Sequence, residues 1–310
     1  MPDKILVIKL SAFGDFIQAL GPMAAIRRHH PDAEITLLTT APFVTLAQAS
    51  GYFDAIWTDS RPRWLECAKL RRLSKQLRGG GFTRVYDLQN NDRTALYLWL
   101  FGMKRPEWVG AAPGASHRNA DPARTSGHAF AGHVQTLRLA GIEDVKVDDL
   151  SWVRGNPSHF GLPHPYVLLV PGSAPDRPEK RWPAKSYGQL ARTLYGWGYT
   201  PVIIGILAEQ KLAAAIQAEC QHAVNLCGQT SITDLVLLAR NAAGAVGNDT
   251  GPMHVIAPTG CPAIVLFSPA SDPARHAPMG ARVRCILQSQ DVFAEITARD
   301  FRHKGATTAA

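Results

Sequence analysis

Three junctions between apolar runs and helix-like segments carry the side chains that could do chemistry. In KLSAFGDFIQALG, an apolar run gives way to Ser11–Gly14 and then to Asp15. A carboxylate placed there can take a proton from an attacking hydroxyl. Its plainer use is to cap a helix that starts near Asp15, with Gly14 easing the tight path before it. In VPGSAPDRPEKRWPAKSYGQL, a small-residue turn with Ser173 precedes Lys180 and Arg181. Hydroxyl and backbone donors beside two cations suit a diphosphate, whereas the plainer reading is a solvated surface pair. In VGNDTGPMHVIAPTGCPAIVLF, Asp249, Thr250 and Gly251 turn into a helix that holds His254. Free N–H groups at a helix start bind phosphate, although Asp249 and Thr250 also serve as caps and His254 as a satisfied helix histidine. Neither G-x-G-x-x-G nor the P-loop pattern occurs.

These junctions need strands to end where they begin. The strand candidates of the first half are KILVIKL (4–10), EITLLTT (34–40), DAIWT (54–58), RVYDLQ (84–89) and EWVGAA (107–112). Those of the second half are YVLLVPGS (166–173), TPVIIGIL (200–207), AVNLCG (223–228), AGAVGND (243–249) and CPAIVLF (261–267). Helix-like stretches such as FIQALGPMAAIRRHH and KSYGQLARTLYGWG lie between them. Near-continuous apolar strands alternating with helices predict parallel sheets covered on both faces, and two such series predict two doubly wound α/β domains. The boundary falls near 150–165, where VRGNPSHFGLPHPY has linker composition, giving domains of 1–155 and 156–310. GAAPGASHRNADPARTSGHA (110–129) reads as a loop. In such sheets ligands sit beyond the carboxyl ends of the strands, where all three junctions lie.

Composition narrows the partners. Five scattered cysteines without a C-x-x-C pair read as reduced, mostly buried thiols, and eleven histidines show no metal-ligand spacing. No apolar stretch reaches the roughly 18 residues that span a bilayer, and MPDKILVIKLS does not resemble a signal peptide. The net charge is +8, and from Arg61 to Arg84 eight cations face the single acid Glu66. Such a run favours phosphates, an anionic membrane or nucleic acid, or is simply a solvated helix face. Trp64 lies within it, but no aromatic interleaving suggests a nucleic-acid platform.

The strings LSAFGDFIQALGP, KRWPAKSYGQLA and NLCGQTSITDLVLLARNAAGAVGNDTGPMHVIAPTGCPAIVLFSP occur in an order and spacing that resemble the bacterial lipopolysaccharide heptosyltransferase family, glycosyltransferase family 9. The resemblance runs from Ile5 to about Cys285. It implies the GT-B glycosyltransferase fold, two Rossmann-like domains facing a cleft, with acceptor in the first domain, nucleotide sugar in the second and a last helix that can return to the first. It implies metal-independent, inverting transfer of heptose from ADP-heptose to a lipopolysaccharide core or related glycan, with no cofactor. Asp15 takes the place of the family's base, Lys180 that of its phosphate-binding lysine, Thr250 and Gly251 its diphosphate turn, and Glu209 its ribose acid. Ser173, Arg181, Asp249 and His254 complete the expected donor set. Arg61 and Arg63 of the basic run, with Gln89 and Arg93 of DLQNNDRTAL, form the expected acceptor set. The expected setting is cytoplasmic, peripheral to the inner membrane, with an anionic glycolipid acceptor and no nucleic acid as partner. The alternatives are a nucleotide-sugar epimerase or another enzyme of the same fold, and a basic nucleic-acid binder.

Overall fold

Each apolar run becomes a strand, and those at the centre of each sheet are buried on both faces. The computed structural model describes residues 2–63, 65–174 and 176–302, so Trp64 lies outside the described residues. The first unit alternates β1 (Lys4–Ile8), α1 (Phe13–His29), β2 (Glu34–Thr39), α2 (Val44–Ser50), β3 (Ala55–Thr58), α3 (Cys67–Gly79), β4 (Arg84–Asp87), α4 (Asp92–Leu100) and β5 (Glu107–Gly110). It closes with β6 (His117–Arg118), α5 (Ala123–Ser126) and α6 (Ala129–Arg138). The second runs β7 (Tyr166–Val170), α7 (Ala184–Gly196), β8 (Thr200–Ile203), α8 (Gln210–Glu219), β9 (Val224–Asn225), α9 (Ile232–Asn241) and β10 (Gly244–Asn248). It continues through α10 (Gly251–Ile256), β11 (Ala263–Phe267), α11 (Pro273–His276), β12 (Val283–Leu287) and α12 (Val292–Glu295).

Each unit holds one six-stranded sheet, ordered β3-β2-β1-β4-β5-β6 in the first and β12-β11-β10-β7-β8-β9 in the second. All the recorded pairings are parallel. Both sheets therefore reverse their winding beside the first strand, between β1 and β4 and between β7 and β10. At such a switch point neighbouring helices leave to opposite faces and open a crevice for ligand. Burial stabilises the arrangement: all five residues of β7 and of β11 are buried, and each fully buried aliphatic contributes about 1.5–3 kcal/mol. One side of the first sheet packs Leu6, Ile8, Val85 and Trp108 against Leu77, Tyr97 and Phe101.

Several expectations need correction. α1 begins at Phe13, so Gly14 lies inside its first turn and Asp15 is its third residue, not its cap; Ala12 is the cap. The stretch 110–129 contains β6 and α5, and β12 forms from a segment read as no strand. Their alternation is short or interrupted by charge, and pairing with β5 and β11 defines them. The units divide between Asp148 and Asp149, a little before 155. The reason is Arg240 of α9, which donates to the carbonyls of Leu150 at 2.5 Å and Val153 at 2.7 Å and fastens this supposed linker to the second unit. The last described helix, α12, places Val292 in the second unit's own core, as do Ile296 and Phe301 after it. Residues 303–310 of the expected second domain lie outside the described residues.

Gly21 explains how tightly α1 is held. A Cβ built there would stand 2.0 Å from the carbonyl oxygen of Lys146. Gly21→Ala should therefore destabilise the fold by about 1–3 kcal/mol, the usual penalty for overpacking. Urea unfolding measures it, and an unchanged midpoint would mean that the 146–148 segment yields without penalty.

Candidate active site

In the first unit, the switch point gathers a carboxylate, an amide and a buried cluster of titratable groups. Asp15 is carried by the first turn of α1, and its Oδ2 accepts the N–H of Ala12 at 3.3 Å. Gln89, just past β4, accepts the N–H groups of Leu10 and Ser11 at 2.9 and 3.0 Å through Oε1. It thus pins the loop that delivers Asp15. Beneath the loop lies Lys9, buried, with Nζ donating to the carbonyl of Leu88 at 3.3 Å. Burial lowers the Lys9 amine below its ordinary value, while Asp15 and Asp87 pull it upward. Burial also pushes the Asp87 carboxyl up to about 6, against the N–H of Asn90 and the charge of Lys9. His133 of α6 is driven down to about 3 by burial and then by the charges of Lys9 and Arg124. Lys9, Asp87 and His133 were missed in the sequence, where a lysine in a strand run and a histidine in a helix carry no distinguishing spacing.

The other acceptor candidates sit at the amino end of α4 and the loop before α3. Arg93 donates to the carbonyl of Pro62 at 2.8 Å and so holds the Arg61–Arg63 loop. Arg61 has φ +50° and donates its N–H to the buried Asp59 carboxylate at 2.7 Å, and the Arg63 N–H caps onto Glu66 at 2.7 Å. These bonds leave the guanidinium groups of Arg61 and Arg63 outside the backbone scaffold. The basic run is not one face. Arg84 stands in β4 and donates to Glu107 at 2.7 Å, and Lys69 pairs with Glu66, so the exposed cations are chiefly those of α3.

In the second unit, Lys180 and Asp249 meet at the switch point. Lys180 Nζ lies 2.6 Å from Asp249 Oδ2, both largely buried, and 3.3 Å from the Ser271 hydroxyl, which also donates to Asp249. Gln288, after β12, donates to the Lys180 carbonyl at 2.9 Å. Arg181 donates to the Ser173 hydroxyl at 3.0 Å, and that hydroxyl donates to the Arg177 carbonyl at 2.9 Å. Thr250 caps α10 without a side-chain bond to the helix, Gly251 is its first residue, and His254 is buried in it. Pro183 is the cap of α7. Glu209 follows β8 in a 3-10 turn and accepts the Ile206 N–H at 2.9 Å. A Cβ on Gly172 would fall 1.7 Å from Glu209 Oε1, and one on Gly205 2.5 Å from Oε2. Both glycines are needed for that carboxylate to lie across the ends of β7 and β8.

The organising residue of this unit was missed as a functional one. Asn248 is wholly buried at the end of β10. Its Nδ2 donates to the carbonyls of Pro171 and Gly172 at 2.8 and 3.2 Å, and its Oδ1 accepts the Trp182 N–H at 3.0 Å and the Tyr187 hydroxyl at 3.1 Å. Only its place in GNDTG hinted at it. Ser271 and Gln288 gave no local signal, because long loops bring them in. Among the described residues, no group of three His, Cys, Asp or Glu side chains could hold a metal ion.

The Asp87 value makes stability depend on pH. An unfolded Asp ionises near about 3.9. The native state binds this proton more tightly, so the stabilisation is full below about pH 4 and is lost as pH rises towards 6. His133 acts in the opposite sense over an overlapping range, because its neutral ring favours the native state at higher pH. The test is therefore a difference. The unfolding free energy of the parent minus that of Asp87→Asn should fall between about pH 4 and pH 6. A flat difference would put the Asp87 carboxyl in its ordinary range.

Comparison with known proteins sets this geometry in a family. The chain is 29% identical to lipopolysaccharide heptosyltransferase 2 of Escherichia coli K12, over 91% of this chain and 87% of that protein. The structure of E. coli ADP-heptose lps heptosyltransferase II superposes with a TM-score of 0.72 at 24% identity, covering 91% of this chain and 90% of the other. The structure of E. coli heptosyltransferase WaaC with ADP does so at 0.69 and 17% identity, covering 92% and 93%. The two Rossmann-like sheets are thus those of the GT-B-like fold. Residues 70–300, most of the chain and all of the donor-side motifs, match glycosyltransferase family 9 (heptosyltransferase), and the chain belongs to that family.

Proposed function

We propose that this chain transfers a heptose or closely related sugar from ADP-heptose to a lipopolysaccharide core or related anionic glycolipid, with inversion and without a divalent ion or bound cofactor. One observation carries the proposal: each sheet presents a charge suited to one half of the reaction at its switch point. That charge is the Asp15 carboxylate in the first unit and the Lys180 ammonium in the second. The similar E. coli ADP-heptose lps heptosyltransferase II and heptosyltransferase WaaC with ADP support the donor.

In this scheme the acceptor hydroxyl attacks the anomeric carbon from the face opposite ADP. The new glycosidic bond forms as the bond to the β-phosphate oxygen breaks, and the hydroxyl proton passes to Asp15. Negative charge grows on the leaving ADP. Lys180, supported by Arg181 and the N–H groups around Thr250–Gly251, stabilises it. The Asp249 carboxylate and Ser271 hydroxyl fix the ammonium beforehand, so little reorganisation is needed. Glu209 accepts from the ribose hydroxyls, Ser173 shapes the diphosphate turn, and His254 packs behind it. Arg61, Arg63 and Arg93 meet acidic groups of the acceptor, and Gln89 offers its NH2. The α3 cations face the acceptor's membrane, the inner leaflet, and the enzyme is a cytoplasmic peripheral protein. No described helix is long and apolar enough to cross a membrane.

Asp15→Asn should lower transfer by about 10²–10⁴-fold while melting temperature and ADP affinity stay at parental values. Transfer near the parental rate with normal donor binding would remove Asp15 from the role of base. Consumption of ADP-heptose without any acceptor would instead favour epimerisation.

Lys180→Ala should weaken ADP binding in calorimetry and slow transfer by about 10²–10³-fold. Parental enzyme should keep its activity in chelator. Activity that vanishes there and returns with magnesium or manganese would contradict the metal-free scheme.

A further inference from the structure

The outer face of α4 carries an apolar stripe that the transfer reaction does not use. Leu96 and Trp99 lie one turn apart on α4, Met103 follows in the turn after the helix, past the left-handed Gly102, and the three are 40%, 53% and 102% exposed. Scattered exposed apolar residues need no explanation, but three large ones within eight positions at one helix end do. The stripe is edged with positive charge. The Arg105 guanidinium lies 4.1 Å above the Trp99 ring, and Lys104 is exposed beside it. On the neighbouring α3, Ser74 and Arg78 donate to the Leu100 carbonyl at 2.7 and 2.8 Å, so α3 runs alongside the stripe. Arg71, one turn before Ser74, shares that side of α3, and Arg72 and Lys75 are exposed next to it. The acids of this pair, Glu66 and Asp92, stand at the amino ends of the helices, away from Trp99.

We infer that this face docks on an anionic bilayer by inserting Trp99, Met103 and Leu96 below the headgroups while the surrounding cations contact the phosphates. Charge complementarity selects the occupant. A row of cations around an apolar ridge, with a tryptophan whose amphipathic ring suits the interface and an arginine whose stem can snorkel over it, matches a negatively charged leaflet. The cations alone give a loose attraction that salt screens; the ridge adds a component that salt leaves intact. The inference rests on the reading that the basic helix faces a membrane, and it adds the side chains that enter the lipid. α4 also links the two roles, because its amino end carries Arg93 and follows Gln89 of the acceptor site.

Flotation with phosphatidylglycerol–phosphatidylethanolamine vesicles and with pure phosphatidylcholine vesicles tests it. The parent should bind the anionic vesicles, and part of that binding should survive a rise from about 0.1 M to about 1 M salt, where the Debye length falls from ~10 to ~3 Å. Trp99→Gln with Met103→Gln should lower partitioning about ten-fold or more and abolish the salt-resistant part. Melting temperature and ADP affinity should not change. Arg71→Glu with Arg72→Glu should remove the salt-sensitive part and spare the rest. If the apolar double variant binds like the parent while charge reversal abolishes binding, the inserted ridge is refuted and electrostatic contact alone remains. If the parent binds no vesicle under any condition, the membrane reading falls and the ridge with it. If the parent sediments as a dimer and the apolar variant as a monomer, the stripe is a self-association surface and the inference is overturned.

Discussion

One buried amide sets the form of the second unit. Parallel strands that leave to opposite faces at a switch point expose backbone groups at the place where a ligand must approach. A buried backbone carbonyl without a partner costs about 1–3 kcal/mol, so these groups must be satisfied from within. Asn248 does so for two carbonyls after β7 and accepts one N–H and one hydroxyl from the start of α7. All four of its bonds run to residues more than 60 positions away in the chain. Aspartate at this position could not donate to the carbonyls, and leucine could satisfy none of the four groups. Lys180 and Arg181 enter the site from the loop that this amide closes.

The first unit solves the same problem with a different side chain. Gln89 reaches from the end of β4 to the N–H groups of Leu10 and Ser11 at the end of β1. The two amides differ in what lies behind them. Asn248 is backed by the aromatic pair Trp182 and Tyr187, whose rings meet edge to face at 5.1 Å. Gln89 is backed by the buried titratable groups Lys9, Asp87 and His133; Lys9 and Asp87 shift each other, and Lys9 lowers His133. Lys9 lies beside the loop that carries Asp15, close enough for that carboxylate to raise its amine against burial.

The anions and cations of the molecule are accordingly divided by depth. Lys180 and Asp249 at the second switch point are largely buried and paired, whereas Asp15 at the first is only partly buried. Charges on α3 are exposed and mostly unpaired by acids, which gives long reach but little contribution to stability.

How much of this was legible in the sequence follows from how far each signal extends along the chain. The strand runs and their alternation with helices determined the two doubly wound sheets, because burial on both faces demands continuous apolar residues, a property of neighbouring positions. The distinctive strings carried the family, and with it the candidate roles of Asp15, Lys180, Thr250 and Gly251. Strand ends were read too long, as in YVLLVPGS, because apolarity does not report where a ladder stops; Asn248 draws off the carbonyls of Pro171 and Gly172. Short β6 and β12 escaped because two to five residues of mixed polarity form a strand only when a partner offers its edge. Ser271, Gln288, Lys9 and His133 stayed hidden for a related reason. Their roles depend on groups that loops and crossovers bring from elsewhere in the chain, and on a burial that removes water. Neither side-chain proximity nor local dielectric is written in a neighbouring residue, so the tertiary structure alone decided them.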